Sequence, residues 1–251
     1  MKLARDTRLL FWRYTLQYLR NPVWLVVGFS SPLLYLALFT PLLRHLPSTV
    51  GGVNALDAFL PGILSLLAFA SGSGMGFGTI FELQAGVVER FRVTPTSRLA
   101  LLLGPLISGT VWMFVFDAVL VAVGAAFGFH IHVGGLAVLA VLLALFMLTM
   151  AGFSIAMALI TKEISGFAAL INGINLPVLL LAGILLPISI GPSWMDVLAH
   201  FNPLYYLVTA ARALAVGNFG GGATWQAFAV LVPLCALTLA WATRVYRRAV
   251  A

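Results

Sequence analysis

From 134 to 160 the sequence carries no charged side chain, and the stretches 23–43, 58–80, 164–187 and 224–243 share that property. A sixth stretch, 100–128, departs from it only at Asp117. A helix rises 1.5 Å per residue, so about 20 apolar residues cross the hydrocarbon core of a bilayer. All six stretches meet that length. A soluble fold cannot hide them, because only 8% of the 251 residues are charged and 62% are hydrophobic, with mean hydropathy +1.07. An ordinary soluble domain is about 25% charged. The reading is an all-α integral membrane protein with six transmembrane helices. Pro32, Pro105 and Pro177 lie inside three of them, which a bundle tolerates when neighbours satisfy the freed carbonyls.

The basic residues set an orientation. Lys2, Arg5, Arg8, Arg13 and Arg20 precede the first span; Arg90, Arg92 and Arg98 follow the second; Lys162 follows the fourth; Arg244, Arg247 and Arg248 follow the sixth. Only Arg44 and Arg212 fall on the other side. The positive-inside rule then puts both termini in the cytoplasm. Leu9, Trp12, Leu16 and Leu19 are spaced along one face among the first arginines, which suggests that residues 1–22 form an amphipathic helix on the cytoplasmic leaflet, ahead of a six-span transmembrane domain over 23–251. The first apolar run is too long for a signal peptide, and no cleavage site follows it. Trp12, Trp24, Trp194, Trp225 and Trp241 sit near span ends, as an aromatic belt would.

Several chemistries lack their residues. Lys2 and Lys162 are the only lysines and neither lies in a glycine-rich phosphate loop, so ATP is not expected on this chain. Cys235 is alone, which excludes a disulfide framework, and His130 with His132 reads as a polar turn in preference to a metal site. Ser73 lies between glycines, but an intramembrane serine protease would place a histidine within a span, and none is there. Gly72, Gly74, Gly76 and Gly78 give two overlapping Gly-x-x-x-Gly spacings, read as close helix packing.

Two connections are more informative. In the segment from about 82 to 95, Leu83, Val87 and Phe91 recur at four-residue spacing, so an amphipathic cytoplasmic helix ended by Pro95 is expected. Such a helix suits docking into a partner's groove or is a solvated loop. From about 188 to 215 the chain is apolar but broken by Pro187 before it and Asn202-Pro203 within it, which suits external re-entrant helices with Trp194, Tyr205 and Tyr206 at headgroup level. Arg212 is expected to anchor to lipid phosphate or, less in keeping with its place, to face a cavity. Asp117 costs about 2.5–3.5 kcal/mol at mid-bilayer if charged, so it lines a path, pairs with a neighbour or is held neutral. Asn172 and Asn175 are read as polar contacts between helices or at a dimer interface.

Gly86-x-x-Glu89-Arg90…Thr94-Pro95…Arg98…Gly104, together with Asn202-Pro203 and Arg212, resembles the bacterial ABC type-2 permeases, in particular the daunorubicin-resistance-type membrane subunits. The likeness covers essentially the whole chain. Pro105 stands where a lysine is common in that family. The resemblance implies that 82–95 is a coupling helix docking on a separate ATPase, with Glu82, Gly86, Val87, Glu89, Arg90, Phe91, Arg92 and Pro95 in or beside the contact, and that Asn202, Pro203, Tyr205, Tyr206 and Arg212 belong to external re-entrant helices.

It implies, further, a permease subunit of an ATP-driven exporter in a bacterial plasma membrane. Two ATPase subunits would carry ATP and Mg, a second permease copy or a paralogue would complete the pathway, and membrane lipids but no nucleic acid would be partners. No catalytic residue, cofactor or metal is expected on this chain. An amphiphilic drug, lipid or glycolipid-like cargo suits an apolar pathway. The alternatives are an ion-coupled secondary transporter, which would need charge relays or inverted repeats, and an intramembrane protease.

Overall fold

The computed structural model describes residues 2–44, 55–87, 90, 97–129, 132–184, 188 and 192–250. They form α1 (Lys2–Arg20), α2 (Pro22–Arg44), α3 (Ala55–Gln84), α4 (Arg98–Ala126), α5 (Val133–Thr161), α6 (Ile164–Leu181), α7 (Ser193–Ala199), α8 (Pro203–Ala215) and α9 (Gly222–Val250), with no strand among the described residues. Five of these, α3, α4, α5, α6 and α9, are long and apolar enough to cross a membrane. The protein is an all-α, multi-pass membrane protein.

The expectation of six spans meets two differences. In α2 the described apolar stretch is Val26–Phe39, shorter than a bilayer needs, although the whole 23-residue helix would reach about 34 Å at 1.5 Å per residue. The expected fifth span over 164–187 is shorter as well. α6 ends at Leu181, and Gly183 then takes a left-handed φ of 68°, a conformation that closes a helix and favours glycine. Elsewhere the punctuation is plain in the chain. Pro22 opens α2 in the first helical turn, where its missing N–H costs nothing. Lys162, at φ 56°, closes α5 with its N–H on the Ala158 carbonyl, and α6 begins two residues later.

α5 is the centre of the bundle. It packs along α3 on one side and α9 on the other, and its buried residues run along its length from Gly135 to Leu159. Between helices in lipid there is no hydrophobic drive, so small residues and close backbones do much of the holding. That is what α3 and α5 show. A Cβ on Gly72 would lie 2.6 Å from the Met150 Cβ, and one on Gly76 would lie 2.2 Å from the Phe167 ring. The Ser154 hydroxyl bridges the two helices, donating to the Ser73 carbonyl at 2.6 Å and accepting the Gly76 N–H at 2.9 Å. Phe77 on α3 and Phe167 on α6 meet edge to face at 4.8 Å just beyond it. On the α9 side, Gly152 lets α5 approach the Thr238–Leu239 backbone.

The two Gly-x-x-x-Gly spacings of α3 therefore differ in use. Gly72 and Gly76 make the close contact expected of them, whereas a Cβ on Gly74 or Gly78 meets nothing within 4 Å. α1 lies against α4, with Leu10 buried and its Cβ 2.5 Å from where a Cβ on Gly104 would stand. Leu9, Trp12 and Leu19 point outward, as an apolar stripe on an interfacial helix would.

Gly76→Ala forces a methyl group into the Phe167 ring and the Ser154 carbonyl and is expected to destabilise the bundle by about 1–3 kcal/mol. Gly74→Ala, on open space, is expected to leave stability within about 0.5 kcal/mol or raise it slightly. Melting of the two purified variants in the same detergent separates them; equal melting temperatures would contradict this packing.

Candidate functional site

The segment after α3 begins with a break. Ala85 and Gly86 turn the chain, the Gly86 N–H bonding the Leu83 carbonyl at 3.1 Å with φ at 66°. A new helical turn starts at Val87, where the Arg90 N–H reaches the Gly86 carbonyl at 3.2 Å. The continuous amphipathic helix expected from 82 is thus divided at Gly86, and the four-residue spacing of Leu83 with Val87 does not describe one face of one helix. Gly86 marks the hinge because a left-handed residue there is strained for anything with a Cβ. Val87 is half-buried and Arg90 exposed. Glu89, Phe91, Arg92 and Pro95 lie outside the described residues.

Glu82 belongs to α3 and faces α1. The Tyr14 hydroxyl donates to its carboxylate, 2.8 Å from each oxygen, and Arg13 Nη2 adds an ion pair at 3.3 Å. The Arg13 guanidinium also lies 5.4 Å from the centroid of the Tyr14 ring. Burial, with the Glu82 carboxylate beside it, pushes the Tyr14 phenol well above its ordinary range, so the hydroxyl remains a donor. Asp6, buried on the same helix, accepts the N–H of Ser97, the residue that caps α4. A carboxylate at that point also complements the positive end of the α4 dipole. α1 therefore grips the chain on both sides of 85–96: the last turn of α3 through Glu82 and the first residue before α4 through Asp6.

At the other end of the bundle, the Asn202 and Arg212 motif closes on a single target. The Asn202 side chain caps α8 by accepting the Leu204 N–H at 3.0 Å and donates to the Val178 carbonyl at 2.7 Å. Arg212 Nη2 donates to the carbonyls of Gly183 and Ile184 at 2.7 and 3.0 Å. Both residues thus hold the C-terminal end of α6, and Pro203 starts α8 in a first turn that needs no N–H. The expectation that Arg212 anchors to lipid phosphate is corrected: its guanidinium turns inward, because carbonyls past the end of a helix in an apolar setting need a donor. Tyr205 and Tyr206 pack with His200 in an aromatic cluster, the Tyr206 hydroxyl donating to the His200 carbonyl at 3.0 Å. Trp194 and Phe201 project outward beside them.

The three intramembrane polar residues are not brought together. Asp117 is buried on α4, and its two carboxyl oxygens have no hydrogen-bond partner among the described residues. Asn172 faces outward on α6, the least covered of the long helices, while the Asn175 side-chain oxygen is buried there without a described partner. Sequence patterning missed Arg13, Tyr14, Asp6 and Ser154. The polar face of α1 was the only available signal for the first three. Nothing in the local sequence marks Ser154.

A family model described as ABC-2 type transporter matches residues 5–216. The ycf38 protein of Cyanophora paradoxa, described as a transport permease, is 31% identical over 206 residues, covering 80% of this chain and 71% of that one. The daunorubicin resistance ABC transporter permease protein DrrB1 of Streptomyces coeruleorubidus is 26% identical over 249 residues, covering 94% and 84%. The ycf38 protein of Pyropia yezoensis is 27% identical over 221 residues, covering 84% and 74%.

Arg212→Ala would strip the Gly183 and Ile184 carbonyls of their shared donor and is expected to cost about 1–3 kcal/mol. Arg212→Lys should restore part of that. The test is melting in a non-ionic detergent, where an arginine that merely touched lipid phosphate would leave the melting temperature unchanged.

Proposed function

The chain belongs to the ABC-2 type transporter family and is the transmembrane permease subunit of an ABC transporter, a machine driven by a partner ATPase, and we propose that it serves an exporter. ATP and Mg would be held by two separate ATPase subunits beneath two permease copies, the second identical or a paralogue. The segment 86–95 docks on the ATPase, with Val87 and Phe91 as apolar anchors and Glu89, Arg90 and Arg92 as polar contacts. Glu82 stays behind on α3 and ties the docking segment to α1. The observation that carries this reading is the family match across residues 5–216; the Gly86 turn supports it, since it ends the run of α3 ahead of the segment proposed to dock.

A pair of permeases is supported by α6. Only Phe167 and Ile171 are buried along it, and Asn172 projects from its open side, where lipid tails offer no hydrogen bond. A second copy laid against that face would satisfy it. With α2 as the sixth span, the basic residues put both termini in the cytoplasm, consistent with a plasma-membrane protein of a bacterium. The cargo we favour is an amphiphilic drug, lipid or glycolipid-like molecule. The name of the Streptomyces relative ties that protein to daunorubicin resistance. The coupling is mechanical: ATP binding and hydrolysis bias two arrangements of the permease through contacts that differ between them.

Glu89→Ala combined with Arg90→Ala should reduce co-purification with the ATPase at least tenfold, equivalent to about 1.4 kcal/mol, and abolish ATP-dependent cargo movement in vesicles. Unchanged association and transport would remove this segment from the interface. Cargo flux that followed an ion gradient without any ATPase would favour a secondary transporter instead.

A further inference from the structure

Between Trp225 and Trp241 the last span carries no charged side chain, so the two rings mark its outer and inner interfaces. Pro233 lies midway, about 12 Å from each along the helix at 1.5 Å per residue. With Leu234 and Leu237 it forms the apolar wall of a groove of about 420 Å³. The facing wall is made by His200, Pro203 and Tyr206, where α7 turns into α8. The tip of this helix pair therefore sits beside the middle of α9. Asn202, at the same tip, bonds the Val178 carbonyl inside α6, which fits that depth. Tyr206 is then deeper than the headgroup level its sequence suggests.

The hydrogen bonds already made at the tip fix what the groove can offer. A neutral imidazole carries one N–H. His200 Nδ1 stands 2.7 Å from the Asp196 carbonyl oxygen, which can only accept, so the hydrogen is on Nδ1 and Nε2 is left as the acceptor. The Tyr206 hydroxyl commits its hydrogen to the His200 carbonyl at 3.0 Å and keeps oxygen lone pairs. Pro233 has no N–H to return to the Ala229 carbonyl, which points along the helix toward it. Acceptors thus meet an apolar wall at a depth where no water supplies donors. We propose that this groove binds a membrane-dissolved molecule carrying a hydroxyl group on an apolar body. The hydroxyl donates to His200 Nε2, and the body lies along Pro233, Leu234 and Leu237. Such a molecule enters sideways from the bilayer, as a single-chain alcohol or as a diacylglycerol. Its occupancy presses on Pro203, next to the residue that holds α6. The groove is formed within one chain, so it stands or falls separately from the transport reading.

The test uses the purified full-length chain alone in dodecyl maltoside, photolabelled with the diazirine alcohol 3-azioctanol and mapped by peptide mass spectrometry. Saturable labelling within 200–206 and 230–237 is expected, with the methyl ether of the same probe about fivefold weaker for want of the hydrogen bond. His200→Phe keeps a ring but removes the acceptor. It should lower labelling by the alcohol about fivefold and leave labelling by the ether unchanged. Leu237→Trp places its ring in the groove from an exposed position, and should lower labelling by both probes about tenfold while the melting temperature holds. Competition by oleyl alcohol but not by dioleoylglycerol assigns the groove to single-chain alcohols, and competition by dioleoylglycerol assigns it to a lipid. Competition by neither, equal labelling by alcohol and ether, or full labelling of folded His200→Phe or Leu237→Trp protein would overturn the proposal.

Discussion

In the hydrocarbon core of a membrane no water is present to receive a backbone N–H or C=O, so each must be satisfied by the protein itself. Arg212, Asn202 and Ser154 answer that demand. Within α3, α4, α5, α6 and α9 the helix supplies its own bonds. Where a helix ends, something else must act: Arg212 and Asn202 reach the carbonyls beyond and within the last turn of α6, and Ser154 joins the α5 side chain to the α3 backbone. Arg212 thereby serves carbonyls past the end of α6, while Asn202 and Ser154 add interhelical ties to backbone groups within α6 and α3.

α3 is the element on which the proposed coupling turns. One edge, at Gly72 and Gly76, is pressed against α5 and cannot move without opening the core. The adjoining edge, at Gly74 and Gly78, faces empty space. Its last turn is tied by Glu82 to Tyr14 and Arg13 of α1, and two residues beyond its end the chain turns at Gly86. A force applied to the segment beyond Gly86 would therefore reach α1 and α3 together, and through Gly72 and Gly76 the centre of the bundle. α1 also holds Ser97 at the head of α4, which makes it a strap across both helices that flank the segment proposed to dock.

Much of this was legible in the sequence, and the parts that were not share a cause. Uncharged runs located the long helices because hydrophobic length is a property of one segment. The apolar run continues past the end of α6 through Leu185 and Leu186, and composition does not register the left-handed turn at Gly183. Periodicity carries across Gly86 and would join Glu82 to the segment beyond it, although the backbone turns there. An isolated outer arginine such as Arg212 names no partner in the sequence; the carbonyls it meets lie 28 and 29 residues earlier in the chain. Periodicity shows which face of a helix is polar. It does not say which distant backbone that face will satisfy.

The central claim is that α1 and α3 transmit the motion of the docking segment as one body. Its most direct test is the ratio of cargo moved to ATP hydrolysed in vesicles containing the permease and its ATPase, comparing the natural chain with Arg13→Ala combined with Tyr14→Phe. That variant removes both donors to Glu82 and leaves every residue of 86–95 in place. The predicted result is an intact complex that still hydrolyses ATP but moves at least tenfold less cargo per ATP. A ratio equal to that of the natural chain, in an intact complex, would contradict it.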